Sequence, residues 1–198
     1  MMTKKITKLA IIGAQNCGKT TSFYYVASSY KMHGRLIGMV HESARDCPYP
    51  LNQGAGFLSQ WWILSQHIER EAKMLKHYDN VLCDRSVYDG LIYSWESYLL
   101  KNMNFPSYNM ISRTVYAWAE SHPYTALIYL HPLPIEGDSM RGQLSKQQEF
   151  QRVIETEFQH LIVSLRRRNQ KVEEVHTEDK VERRDTVLEI VRQYFGDE

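Results

Sequence analysis

Gly13-Ala14-Gln15-Asn16-Cys17-Gly18-Lys19-Thr20 lies between the apolar run Leu9-Ala10-Ile11-Ile12 and the segment Thr21-Ser22-Phe23-Tyr24-Tyr25-Val26-Ala27. A short buried strand thus turns through a glycine-framed loop into a helix, which is the setting a phosphate-binding P-loop needs. The two glycines let the backbone fold tightly enough for successive N–H groups to point inward, and the helix start adds partial positive charge. In this reading Gly13, Ala14, Gln15, Asn16, Cys17, Gly18, Lys19, Thr20 and Thr21 cradle the phosphates of ATP or another nucleoside triphosphate. Lys19 reaches the β- and γ-phosphates, and Thr20 offers its hydroxyl to Mg2+.

Composition bounds what surrounds the loop. A chain of 198 residues with 43% hydrophobic content reads as one domain over 1–198, with a short lid at most. The 24 basic and 23 acidic residues nearly cancel, so charge gives no support to DNA as a partner. Cys17, Cys47 and Cys83 are widely spaced and lack zinc-site spacing, which suits free thiols in a reducing compartment. The hydrophobic run after Met1-Met2-Thr3-Lys4-Lys5 is too short for a signal peptide, and no run approaches the roughly 18 apolar residues of a membrane span. The expectation is a soluble, cytoplasmic protein with no membrane partner; a homodimer stays open.

Along the chain, a strand over about 7–12 and the P-loop lead into a helix reaching about His33, closed by Gly34. Leu36-Ile37-Gly38-Met39-Val40 reads as strand two, and its carboxyl end delivers Glu42 and Arg45, where ligands sit in an open parallel sheet. A surface ion pair is the plainer account of those two residues. Residues 54–77 read as a long helix carrying Gln60, Trp61, Trp62 and Gln66. Adjacent tryptophans point about 100° apart and cannot share one core face, so one of them lines a cavity or an interface. Trp61 stacked on a base ring with Gln60 bonding its edge, and plain core packing, both remain open. Strand three, Asn80-Val81-Leu82-Cys83, ends in Asp84-Arg85. A strand-end carboxylate in a P-loop protein suggests a group that orients Mg2+, with Arg85 beside it meeting a phosphate; a cap for the following helix is the plainer account of Asp84.

Val81-Leu82-Cys83-Asp84-Arg85-Ser86-Val87-Tyr88-Asp89-Gly90-Leu91-Ile92-Tyr93-Ser94 resembles the "DR" segment of thymidylate kinases and the "ERS" segment of deoxynucleoside kinases. From Glu42-Ser43-Ala44-Arg45 onward the chain is also similar to the small P-loop ATPase and kinase group that includes the ribosylnicotinamide kinase domain. Thymidylate kinases carry an arginine-proline-glycine motif where Glu42-Ser43-Ala44-Arg45 stands here, which speaks against thymidylate as substrate. The resemblance implies that Glu42 takes the proton from the attacking hydroxyl and that Gln60 reads the edge of a base. It implies a lid over about 132–145 whose arginine, Arg141 or else Arg152, meets the transferring phosphate. It also implies that the Thr177–Lys180 segment contacts adenine.

The second half reads as helices over 87–103 and 108–121, a fourth strand Ala126–Leu130, a helix from about Lys146 to Arg168, a polar edge strand over 171–176 and a last helix over 179–195. Together these elements predict a three-layer α/β P-loop NTPase fold with a mainly parallel five-stranded sheet, like that of nucleoside and nucleotide kinases. The expected activity is transfer of a γ-phosphate to a hydroxyl or phosphate of a small nucleoside- or nucleotide-like acceptor. A kinase acting on a modified base in DNA, and an NTP-driven switch without an acceptor, are the alternatives.

Overall fold

The computed structural model describes residues 6–134 and 144–196. Five parallel strands lie in the order β2-β3-β1-β4-β5: β1 (Thr7–Ile12), β2 (Gly38–Val40), β3 (Asn80–Asp84), β4 (Ala126–Leu130) and β5 (Val172–Val175). The central strands are continuous apolar runs because both of their faces are covered. Alternate residues of β1 feed two cores, as the period of two along a strand requires. Ala10 and Ile12 face one side, with Leu64, Leu91, Val115 and Phe158. Leu9 and Ile11 face the other, with Phe23, Val26, Val187 and Val191. The first side carries α2 (Phe57–His77), α3 (Val87–Leu99), α4 (Phe105–Ser121) and α5 (Leu144–Arg167). The second carries α1 (Lys19–Met32) and α6 (Lys180–Phe195), giving three layers.

Element boundaries differ from the sequence reading where caps decide. Strand two is shorter than expected: Leu36 is 80% exposed, and pairing with β3 begins at Gly38. The helix read from 54 starts at Phe57, after a 3-10 turn over Asn52–Gly54. The helix read from 108 starts at Phe105, because Asn104 caps it by accepting a hydrogen bond from the Ser107 N–H at 2.9 Å. Pro106 then falls in the first turn, where its missing N–H costs nothing. The polar fifth strand lies at a sheet edge, as expected.

Beneath α2 the core holds a buried charge cluster that the sequence reading did not anticipate. Glu71 is fully buried and accepts hydrogen bonds from Lys8 Nζ at 2.7 Å and Trp118 Nε1 at 2.6 Å. Its other oxygen accepts from Tyr124 Oη and lies 3.1 Å from His67 Nε2. Burial alone would raise this carboxyl, but His67 and Lys8 outweigh it and hold Glu71 well below the ordinary range. The Tyr124 oxygen in turn accepts from the Val87 N–H at 2.9 Å, so the cluster ties α2 to the first turn of α3.

Candidate active site

The loop after β1 is set by its glycines. Gly13 has φ 141°, and a Cβ there would stand 2.5 Å from the Leu130 carbonyl oxygen, so no side chain fits. Gly18, at φ 87°, is the residue from which α1 starts. Lys19 is buried, and its Nζ donates to the carbonyls of Gly13 at 2.9 Å and Ala14 at 2.6 Å. Arg183, reaching from α6, braces the loop from behind: its Nη1 donates to Cys17 O at 2.9 Å and His131 O at 2.7 Å. Its Nε donates to Thr177 O at 2.8 Å, so this guanidinium joins the P-loop to the exits of β4 and β5.

Asp84 ends β3 beside the loop. Thr20 Oγ1 donates to Asp84 Oδ2 at 2.7 Å, while Asp84 Oδ1 is buried with no hydrogen-bond partner. Burial lifts the Asp84 carboxyl above its ordinary value, and the Thr20 hydroxyl, Arg85 and Lys19 offset this only in part. A hard cation with oxygen ligands would relieve both features, so this hydroxyl and carboxylate fit Mg2+.

Arg85 follows at φ 81°, a left-handed backbone that costs a non-glycine residue energy. The turn aims its guanidinium into a carboxylate set: Nε donates to Glu42 Oε1 at 2.6 Å, and Nη1 lies 3.4 Å from Asp89 Oδ1. Asp89 itself is held by the Ser86 N–H at 2.8 Å and the Ser86 hydroxyl at 2.9 Å. Arg45 Nε stands 3.5 Å from the other Glu42 oxygen. Burial works to raise the Glu42 carboxyl, but Arg85, with help from Lys19 and Arg45, prevails and keeps it below the ordinary carboxylate value.

A cavity of about 440 Å3 opens beside these groups, and Asp84 is not among its walls. Residues Gln15 to Thr21 form one wall, and Glu42, Arg45, Gln60, His67, Arg85 and Tyr93 contribute to the other. The expected residues Lys19, Thr20, Glu42, Arg45, Gln60 and Arg85 thus meet in one space. Gly13 and Ala14 stand behind it and serve through their carbonyls. Trp61 is not among the cavity walls; it stacks on Phe57 at 6.1 Å and packs against the core. One residue on from Gln60, it points about 100° away. The aromatic rings at the cavity are those of Tyr93 and Phe150. Arg141 and most of the expected lid lie outside the described residues, whereas Arg152 is on the exposed side of α5. The Thr177 carbonyl is engaged by Arg183.

His67, Asp89 and Tyr93 were not singled out from sequence. A signal for His67 existed: Gln60, Ile63, Leu64 and His67 stand at i, i+3, i+4 and i+7, one face of a helix, and all four line the cavity. Asp89 stands three residues after Ser86, the spacing of a capping box.

No family model matches the chain, and no curated protein matches it in sequence. Among solved structures, a NadR protein in complex with NR matches with a TM-score of 0.69 and 12% identity, over 98% of this chain and 52% of that one. NadR with NAD and AMP-PNP gives a TM-score of 0.67 at 12% identity, over 98% of this chain and 51% of that one. The chain therefore spans about half the length of those NadR chains. Deoxyadenosine kinase from M.mycoides with bound dATP gives a TM-score of 0.64 at 17% identity, over 94% of this chain and 99% of that one. At such identities the likeness is one of architecture: the chain has the α/β fold of P-loop nucleoside kinases.

Proposed function

We propose that this chain is a phosphotransferase that moves the γ-phosphate of ATP, or of another nucleoside triphosphate, to a small acceptor of nucleoside or nucleotide type. The observation that carries the reading is the single cavity in which the phosphate loop faces Glu42, Gln60 and Arg85. A switch protein needs the loop but has no use for a second wall with a carboxylate, an amide and aromatic rings. Solved proteins of the same fold hold NR, NAD with AMP-PNP, and dATP, which agrees with a nucleotide-sized occupant.

In the reaction, the N–H groups of the loop and the Lys19 ammonium hold the β- and γ-phosphates, whose oxygens are stronger acceptors than the carbonyls Lys19 now engages. Mg2+, when bound through Thr20 and Asp84, supplies neutralising charge between the phosphate groups. Glu42 orients the acceptor hydroxyl and receives its proton. Its carboxyl sits below the ordinary value, so it is ionised at neutral pH but only a weak base. That suffices for a loose transition state, in which alignment and charge matter more than early deprotonation. Arg85, locked between Glu42 and Asp89, presents positive charge toward the transferring group. Gln60 reads a polar edge of the acceptor ring, with Tyr93 and Phe150 against its faces.

The test is ADP release from ATP and Mg2+ against a panel of nucleosides, nucleoside monophosphates, ribosylnicotinamide and DNA with modified bases. The reading expects stimulation by a small ring-bearing acceptor. Stimulation by DNA alone, or none by any acceptor, would overturn it.

A further inference from the structure

On the far side of β1 from Glu42, the exits of β4 and β5 bring together a set of side chains that phosphoryl transfer does not use. In the parallel register Tyr129 pairs with Glu174 and Leu130 with Val175, which sets His131 opposite His176. Since residues two apart on a strand share a face, His131, Glu174 and His176 all project to the α5 side. There the ring nitrogens and the Glu174 carboxylate come within 4.8 Å of one another. His131 Nε2 stands 2.7 Å from Glu174 Oε2, and His176 Nε2 stands 3.8 Å from that same oxygen. The two imidazoles stack with centroids 4.0 Å apart. One ring bonds that oxygen and the other stands just beyond hydrogen-bond distance of it, and a cation at their centre would engage all three groups. The ligand atoms of a tetrahedral zinc site stand about 3.3 Å apart, inside the range of these separations.

The surrounding partners suit that use. His131 Nδ1, the nitrogen facing away, stands 3.9 Å from Glu155 Oε1 on α5, and Glu155 Oε2 is buried with no hydrogen-bond partner. Arg166 Nη2 holds the outward oxygen of Glu174 at 2.6 Å and leaves Oε2 toward the rings. A carboxylate behind a ligating histidine and a donor behind a ligating carboxylate are the outer groups that orient metal ligands. Because Arg166 neutralises Glu174, Glu155 supplies negative charge that a dication at this place requires.

We propose that His131, Glu174 and His176 form a site for a divalent transition metal of zinc type, separate from the Mg2+ position at Thr20 and Asp84. Two imidazoles and one carboxylate, with a fourth position left to water, match the donor preference of Zn2+ rather than of Mg2+. The His131 carbonyl accepts from Arg183, which also holds Cys17 O, so the metal would fix the strand exit on which the brace of the P-loop rests.

Equilibrium dialysis of the purified protein against Zn2+, with Mg2+ in excess, reads the site directly. One Zn2+ per chain is expected, with affinity falling at least about tenfold in Glu155→Gln and further in His176→Ala. His176 is exposed, so its truncation leaves the fold in place, and circular dichroism checks this. Co2+ in place of Zn2+ should give visible ligand-field bands without thiolate charge-transfer absorption, and Cys47→Ser should bind as the parent does. Failure to retain Zn2+, unchanged binding by His176→Ala, or thiolate absorption with Co2+ would each overturn the proposal.

Discussion

Two carboxylate clusters of this protein neighbour one another, an upper one of Glu42 and Asp84 past the carboxyl ends of β2 and β3 and a lower one around Glu71 beneath α2. In the lower cluster both oxygens of Glu71 are saturated by Lys8, Trp118, Tyr124 and His67, and no atom of that carboxylate looks for a partner. In the upper cluster Asp84 Oδ1 is buried and partnerless, and Glu42 faces a cavity. Burial raises the carboxyl of Asp84, whereas the partners of Glu71 overcome burial and lower it. The difference separates structure from function: a closed cluster holds elements in place, and an open one keeps bonding capacity for a ligand. His67 touches both, since it meets Glu71 and lines the cavity.

Removing one member from each cluster is the sharpest way to break this contrast. Glu71→Gln leaves the Lys8 ammonium buried without its counter-charge and should cost about 3–5 kcal/mol of stability, read by urea denaturation. A loss below about 1 kcal/mol, the scale of an exposed pair, would show that the lower cluster does not hold the fold. Glu42→Gln leaves Asp89 beside Arg85 and should cost less stability than Glu71→Gln, and it should lower kcat by about 10² or more at unchanged ATP affinity. Asp84→Asn should instead shift the Mg2+ dependence of turnover; equal shifts in both variants would erase the distinction between them.

A smaller effect sharpens the position of the acceptor. Gln60→Leu should raise the acceptor KM by about tenfold to a hundredfold, the cost of one buried hydrogen bond, while the KM for ATP stays put. An unchanged acceptor KM would remove Gln60 from recognition. Acid titration gives the mildest contrast. Because the Glu71 carboxyl lies below its ordinary value in the fold, its contribution is complete above the ordinary glutamate range and fades as pH falls toward the folded value. Glu71→Gln should therefore show a flatter decline of stability with acid than the parent, and parallel declines would contradict that sign.

The upper cluster was largely legible in the sequence and the lower one was not, for a physical reason. Lys19, Thr20, Glu42 and Asp84 stand at the ends of apolar strands or the start of a helix, places where local pattern marks a site. Gln60 is picked out through the resemblance to deoxynucleoside kinases, since neither it nor Trp61 beside it can be assigned to cavity or core without knowing which face α2 buries. Glu71 draws partners from residues 8, 67, 118 and 124, which only the assembled sheet brings together. Its one local trace was a lysine inside the apolar run Thr7-Lys8-Leu9-Ala10-Ile11-Ile12. The caps at Asn104 and Gly56 moved helix starts by three residues, a shift that periodicity alone does not resolve.

The central claim is that the open cluster performs transfer to an acceptor rather than hydrolysis. Mass spectrometry of the acceptor after incubation with ATP and Mg2+ tests it most directly, using the parent protein beside Lys19→Ala. The account predicts an acceptor heavier by one phosphoryl group in the parent and a rate about 10²–10³-fold lower in Lys19→Ala, with the fold retained. ADP forming at the same rate with or without acceptor, or a phosphorylated acceptor appearing equally fast with Lys19→Ala, would contradict it.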